Sequence, residues 1–266
     1  MNQRWFTSSN FGDVLAVCLA AAVAGDSLRL LDWKDRPHSA GDAYLSIGSI
    51  LAAADASSIV WGTGFAAETS RVTGPPREIT AVRGPMTRRL LIDSGIACPE
   101  VYGDVALLLP RFVDVPVTKR FELGIACHYV DRSDIRIHRL AERGDVTLID
   151  LLGPPRATLD HIRSCRRIAS SSLHGLVVAD AYGIPAIWIS VTDALLGGWF
   201  KFHDYHAAIA CSTQSPIQVT CRTTVDELCA AAVRRDVVAD LDALAVACPF
   251  PTHQRGGATP RHKVRR

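Results

Sequence analysis

Short apolar runs alternate with longer amphipathic stretches along most of the chain. Leu28 to Asp32, Tyr44 to Gly48, Ile59 to Gly62 and Ile79 to Val82 are brief apolar runs bounded by turn formers, the pattern of buried strands. Asp13 to Ala24 has helical spacing, with Asp13 as its cap and Gly25 as its stop, and Asn10-Phe11-Gly12-Asp13 before it reads as a turn. Pro85 opens another helix that runs to Ser94, with Gly95 past its end. Val105 to Leu109 is apolar throughout and fits either a strand or a helix.

A second set follows. Glu122 to Cys127 and Val146 to Leu151 read as strands, and Ser133 to Arg143 and Ala157 to Cys165 as helices. Arg167 to Ser170 is a short strand that leads directly into a helix from Leu173 to Tyr182, ended by Gly183. Ile184 to Ile189 is the next strand, and Thr224 to Ala232 and Ala239 to Ala247 read as closing helices. Strands alternating with helices predict an α/β fold with parallel sheets and helices on both faces. The sets divide near Asp114-Val115-Pro116-Val117-Thr118. The expected architecture is two Rossmann-like lobes, residues 1–115 and 116–250, followed by a basic tail, 251–266; one continuous sheet is the alternative. In both cases a ligand is expected beyond the carboxyl ends of the strands.

Composition narrows the classes. Hydrophobic residues make up 48% of the 266 and charged residues 21%, which excludes global disorder. The net charge is +2 and is spread along the chain, without the basic stripe and interleaved aromatics of a nucleic-acid binder. The tail is the exception, with Arg255, Arg261, Lys263, Arg265 and Arg266. It reads as a solvated, disordered terminus, or as a weak contact with an anionic membrane surface at about 1 kcal/mol per basic residue. None of the eight cysteines forms a C-x-x-C pair or sits at zinc-site spacing, so reduced thiols and a cytoplasmic location, with or without peripheral contact at the inner membrane face, are expected. Arg4 ahead of the apolar run Val14 to Ala24 imitates a signal peptide, but Asp13 borders that run, and no segment has the length of a membrane span.

Candidate chemistry gathers at strand ends. In Ser170-Ser171-Ser172-Leu173-His174-Gly175 a buried strand gives way to a helix, whose free N–H groups form an anion site that Ser171 or Ser172 can cap. Gly175 allows a ligand or backbone to come close. The positive end of the helix dipole opposes a proton on His174 and a bound anion favours it, so His174 is expected to become a proton donor when an anionic substrate is present. Arg83, before Gly84-Pro85, stands at an equivalent junction in the first half, where a guanidinium can grip phosphate or carboxylate; a structural salt bridge is the competing reading. Trp61-Gly62-Thr63-Gly64, Gly48-Ser49 and Gly103-Asp104 are strand-end turns. Phe200 to His206, read as a loop after Gly197-Gly198, combines Lys201 with aromatics and Asp204, and His128 follows a strand. No G-x-S-x-G elbow, H-E-x-x-H or Walker loop is present.

Taken in order, Asn10-Phe11-Gly12-Asp13, Ile47-Gly48-Ser49, Val60 to Gly64, Ala81 to Pro85, Val101 to Asp104, Ser170 to Gly175, Ala181 to Pro185 and Lys201 to Tyr205 resemble the polysaccharide pyruvyl transferase family, in particular its ketal-pyruvate transferases of xanthan and succinoglycan type. The resemblance spans roughly residues 8 to 206. It implies a GT-B-like pair of lobes, with the active site in the cleft between them. It also implies transfer of a pyruvyl group from phosphoenolpyruvate to two hydroxyls of one sugar, giving a cyclic ketal. The acceptor it implies is a sugar of an exopolysaccharide repeat unit, carried on a lipid-linked oligosaccharide. His174 takes the position of the family's histidine, as the general acid, and Arg83 that of its strand-end arginine. Some members carry an arginine where this chain has Ser172. Ser171, Ser172, Leu173, Gly175, Lys201 and His128 are then the expected donor contacts, and Asn10, Asp13, Gly62, Gly64, Asp104, Asp204 and Tyr205 the expected acceptor and cleft residues, with the first lobe as the acceptor side. The scheme needs no metal or cofactor, phosphoenolpyruvate being a co-substrate. A nucleotide-sugar glycosyltransferase on the same fold and a non-catalytic assembly partner are the alternatives.

Overall fold

The computed structural model describes residues 2–5, 11, 12, 15, 16, 19, 29–32, 42–192, 198–212 and 215–250. Two five-stranded sheets form its frame. The first contains β1 (Asn2–Trp5), β2 (Arg29–Asp32), β3 (Ala43–Leu45), β4 (Ser58–Trp61) and β5 (Glu78–Ala81) in the order β2-β1-β3-β4-β5. The second contains β6 (Phe121–Ala126), β7 (Val146–Leu148), β8 (Cys165–Ser170), β9 (Ala186–Ser190) and β10 (Ile217–Gln218) in the order β10-β9-β8-β6-β7. Every strand pairing in both is parallel. Counted from its own first strand, each sheet has the same order, although the sequence shows no repeat. The strand order reverses between the first and third strands, β1 and β3 in one sheet and β6 and β8 in the other. Open α/β sheets bind ligands in the crevice at such a switch point.

The central strands owe their place to composition. All of β9 is buried, as are the last four residues of β6 and the last three of β8, which suits strands covered on both faces. The helices are α1 (Pro85–Asp93), α2 (Ile135–Ala141), α3 (Pro155–Arg163), α4 (Leu173–Ala181), α5 (Phe200–Ala208), α6 (Val225–Ala231) and α7 (Leu241–Val246). Helix α4 has no polar face, His174 and Asp180 being its only charged or titratable residues, and it is buried from Leu173 to Asp180. It packs on β8 and β9 and on a 3-10 helix, Val105–Arg111, contributed by the first half. A helix without a polar face must be enclosed, and this one is enclosed by both halves. One core cluster therefore runs from Trp61 and Leu107 to Val177, Trp188 and Phe202. The C-terminal stretch also returns to the first sheet, where Trp61 Nε1 donates to the Leu244 carbonyl at 2.8 Å and Phe250 packs on Tyr44 and Trp61.

Several expectations are corrected. Phe200 to His206 is a helix, not a loop. Phe202, Tyr205 and Ile209 recur at helical spacing and are fully buried, with Phe202 stacked on Trp188 at 4.3 Å. Of the two readings of Val105 to Leu109, the helical one holds, in the tighter 3-10 form. Asp104 Oδ1 accepts from Ala106 N and starts a tighter 3-10 turn, with Pro110 inside it. Phe11 and Gly12 are already helical, as are Leu15, Ala16 and Leu19, so that helix begins before Asp13. Strands β1 and β10 were not legible as strands, because Asn2-Gln3-Arg4-Trp5 is largely polar and β10 has two residues. Among the described residues no helix is long and apolar enough to cross a membrane, and the described cysteines are unpaired. The basic tail lies outside the described residues.

Candidate active site

The two switch points converge on one cavity. From the second sheet come His128, just after β6, and Ser172, Leu173 and His174, just after β8. From the first half come Phe11 and Ser49, the latter after β3, and α5 contributes Lys201. Tyr129, Leu151 and Leu152 complete the lining. None of these residues is acidic. With the N-terminus of α4 beside it, the cavity suits a small anion.

His174 occupies the first turn of α4 and is buried. Its Nε2 lies 3.5 Å from Asp104 Oδ2, and neither atom makes a hydrogen bond among the described residues. Asp104 is thus both the cap of the 3-10 helix and the carboxylate facing the imidazole across the two halves. Gly12 packs flat against the ring, where a Cβ would come within 2.1 Å of His174 Cε1. Lys201 is partly buried with no carboxylate paired to it among the described residues. Burial, and then the nearby Arg83 guanidinium, lower its pKa to about 8. Burial, and then Lys201, lower that of His128 to about 4, against the opposing pull of Asp131. His128 is therefore a neutral ring at neutral pH.

The serine run divides its work. Ser170 Oγ accepts from Ser172 N and shares its one proton between the Ala126 and Ser172 carbonyls, at 2.7 and 2.8 Å. Ser171 Oγ donates to Asp131 Oδ2 and accepts from His128 N, while Thr192 holds the other Asp131 oxygen. Ser171 therefore ties β6, β8 and β9 together and does not line the cavity. Ser172 is the N-cap residue of α4, but its side chain makes no capping bond, and it lines the cavity. Gly175 makes room for the Ser170 side chain, 2.2 Å from where its Cβ would stand, and not for a ligand.

Arg83 is fully buried and does not line the cavity. Its Nε donates to Asp204 Oδ2 at 3.0 Å, one terminal nitrogen to Ser49 Oγ at 2.8 Å, and the other to the Phe65 carbonyl at 2.6 Å. Asp204 also accepts from Thr87 N and Thr87 Oγ1, which fixes α5 to the start of α1. The salt-bridge reading of Arg83 is thus the observed geometry. The residue acts on the cavity through Ser49 and through the helix that carries Lys201.

Of the expected acceptor residues, Asn10 and Asp13 lie outside the described residues. The others, Gly62, Gly64, Asp104, Asp204 and Tyr205, are buried, and none lines the cavity. Gly62 packs against Gly103 and Val105, Gly64 against the Arg83 guanidinium, and Tyr205 donates to Asp180. From the sequence Ser49 is a strand-end turn residue and not an expected contact, and Tyr129, Leu151 and Leu152 carry no local signal. A signal for Ser49 was available, since it follows the third strand of its sheet, where the order reverses.

The sequence profile of the polysaccharide pyruvyl transferase family matches residues 4–193. An uncharacterized protein of Acanthamoeba polyphaga mimivirus is 31% identical over 172 residues, which cover 60% of this chain and 57% of that protein. The chain thus spans little more than half the length of that relative. The profile match takes in both switch points and the His174 junction, and with it the chain belongs to the polysaccharide pyruvyl transferase family.

Proposed function

We propose that the protein transfers a pyruvyl group from phosphoenolpyruvate to two hydroxyls of a polysaccharide sugar, using a two-lobed, GT-B-like arrangement with the cavity as its donor site. The observation that carries this reading is the cavity's composition: two histidines, two serines, a helix N-terminus and one lysine with no carboxylate paired to it among the described residues, and no acid in the lining. Lys201, Ser49, Ser172 and the first-turn N–H groups of α4 hold the phosphate and carboxylate. Lys201 thereby supplies the cation that Ser172 does not. His174, with Nε2 turned to Asp104, protonates the methylene carbon of the enol through its other nitrogen. A sugar hydroxyl attacks the resulting cationic carbon and gives its proton back to His174, phosphate leaves with the C–O bond electrons, and a second hydroxyl closes the ring, its proton going to the departing phosphate. Electrostatic stabilisation of the cationic intermediate falls to the substrate carboxylate, which the same groups keep in place. Release of inorganic phosphate from phosphoenolpyruvate, dependent on a glycan acceptor, with a matching mass increase of that acceptor, tests the reading. Transfer from a nucleotide sugar without phosphate release from phosphoenolpyruvate overturns it.

Two expected outcomes follow from the geometry. Gly12→Ala places a methyl group where the imidazole now lies, so transfer is expected to fall by about 10²-fold or more, as for a catalytic group displaced by an ångström, with the circular dichroism spectrum unchanged. Activity at the wild-type level would show that the ring is not held against Gly12.

Lys201 gives a pH dependence. Its proton is lost as pH rises through about 8, so the KM for phosphoenolpyruvate is expected to climb above that pH; a flat profile from pH 6.5 to 9.5, as rough assay limits for a group with this pKa, argues against a donor contact. The folded-state pKa lies below that of a free lysine, so the charged side chain costs stability below pH 8 and the cost fades as pH rises. Lys201→Met is therefore expected to stabilise the fold by about 1–2 kcal/mol at pH 7, less at pH 10, while abolishing donor binding.

A further inference from the structure

We propose that a second cavity, beside the donor site on the same sheet, binds the acceptor saccharide; the assignment rests on the pyruvyl-transfer reading. This cavity has a volume of about 310 Å³ and lies at the carboxyl ends of β6 and β7. Tyr129, Leu151 and Leu152 line both cavities, so their contents share one wall. The inner surface is apolar, with Ile125, Ile137 and Leu148, and the rim carries Arg132, Ser133, His138 and Asp150.

That mixture matches a pyranose, which offers an apolar C–H face and a ring of hydroxyls. Tyr129, 46% exposed at the junction of the two cavities and packed on the His128 ring at 4.4 Å, offers aromatic surface on which a sugar can stack. Asp150 is exposed, and its Oδ1 accepts from Leu152 N, which leaves Oδ2 for ligand hydroxyls. A carboxylate is a strong acceptor from hydroxyl groups. It would repel the anionic donor, and it stands in the larger cavity and not among the residues lining the smaller one.

The chemistry requires this adjacency. Two hydroxyls of one sugar attack the same carbon in succession, so the acceptor must stay beside the donor through both steps. The described first-half residues expected to contact the acceptor are buried. The acceptor is thereby assigned to the second half, opposite to the expectation that the first lobe is the acceptor side.

The test uses two exposed positions on the rim, Ser133→Trp to fill the cavity and Asp150→Asn to remove the carboxylate while keeping an acceptor for Leu152 N. Saturation-transfer NMR with the methyl glycosides of glucose, galactose and mannose is expected to show contact in the wild-type protein and its loss in both variants. With the best-bound glycoside as acceptor, the acceptor KM is expected to rise about tenfold or more, equivalent to one lost charge-assisted contact, and the phosphoenolpyruvate KM to stay within about twofold. Absence of glycoside contact in the wild-type protein overturns the proposal, as does contact that survives both substitutions. Glycoside contact that is lost in the variants, in a protein that releases no phosphate from phosphoenolpyruvate, supports the saccharide site and overturns the pyruvyl reading instead.

Discussion

Replacing His174 with glutamine is expected to lower pyruvyl transfer by about 10²–10⁴-fold, the contribution of a positioned general acid, while phosphoenolpyruvate still binds. The expectation rests on where the ring is held. It lies in the first turn of α4, it packs against Gly12, and its Nε2 faces Asp104 at 3.5 Å. Glutamine retains a polar group of similar reach but has no proton to give at neutral pH. Donor binding is carried by Lys201, Ser49, Ser172 and the helix N-terminus, so titration calorimetry with phosphoenolpyruvate is expected to give a dissociation constant within about threefold of wild type, well under 1.4 kcal/mol. A variant that keeps more than about a tenth of the wild-type rate lies below the range for general acid catalysis and would remove His174 from the chemistry.

The second large effect is on stability. Arg83→Ala removes the cation that compensates Asp204, and both side chains of that pair are 0% exposed. An uncompensated buried charge costs about 3–5 kcal/mol, a large part of the total stability of a domain. The urea midpoint is therefore expected to drop sharply. Replacing the pair together, Arg83→Met with Asp204→Leu, is expected to recover much of the loss, because the desolvation penalty disappears with the charges. In the folded fraction of Arg83→Ala, donor and acceptor use are expected to decline together, since Ser49 and the Lys201 helix lose their anchor. Selective loss of donor use with an unchanged urea midpoint would instead mean that the guanidinium touches the donor.

The His174 junction was legible in the sequence because its signals are local. A β-rich run, three serines, a histidine and a glycine before an apolar helical stretch define a strand–helix turn without reference to any distant residue. Lys201 was legible as a cation near aromatics, though not as a helical residue. Gly197-Gly198 and the mixture of charged and aromatic residues mask the helical spacing of Phe202, Tyr205 and Ile209. The position of Ser171 alone points to the ligand. Its hydroxyl is taken by Asp131, a residue no local pattern connects to it.

The α/β class, the alternation that builds parallel sheets, the helix after the serine run and the histidine at its start are all legible in the sequence. These follow from periodicity and turn chemistry, which act over a few neighbouring residues. What each charged group faces is set by the packing of distant segments. Arg83 meets Asp204 across 121 residues of chain, and His174 meets Asp104 from the other half of the molecule. Charge pairing over such separations depends on which strand ends the two sheet orders bring together. A buried arginine held by an aspartate and a ligand-gripping arginine have the same local sequence; the partner that satisfies the guanidinium separates them, and packing alone supplies that partner.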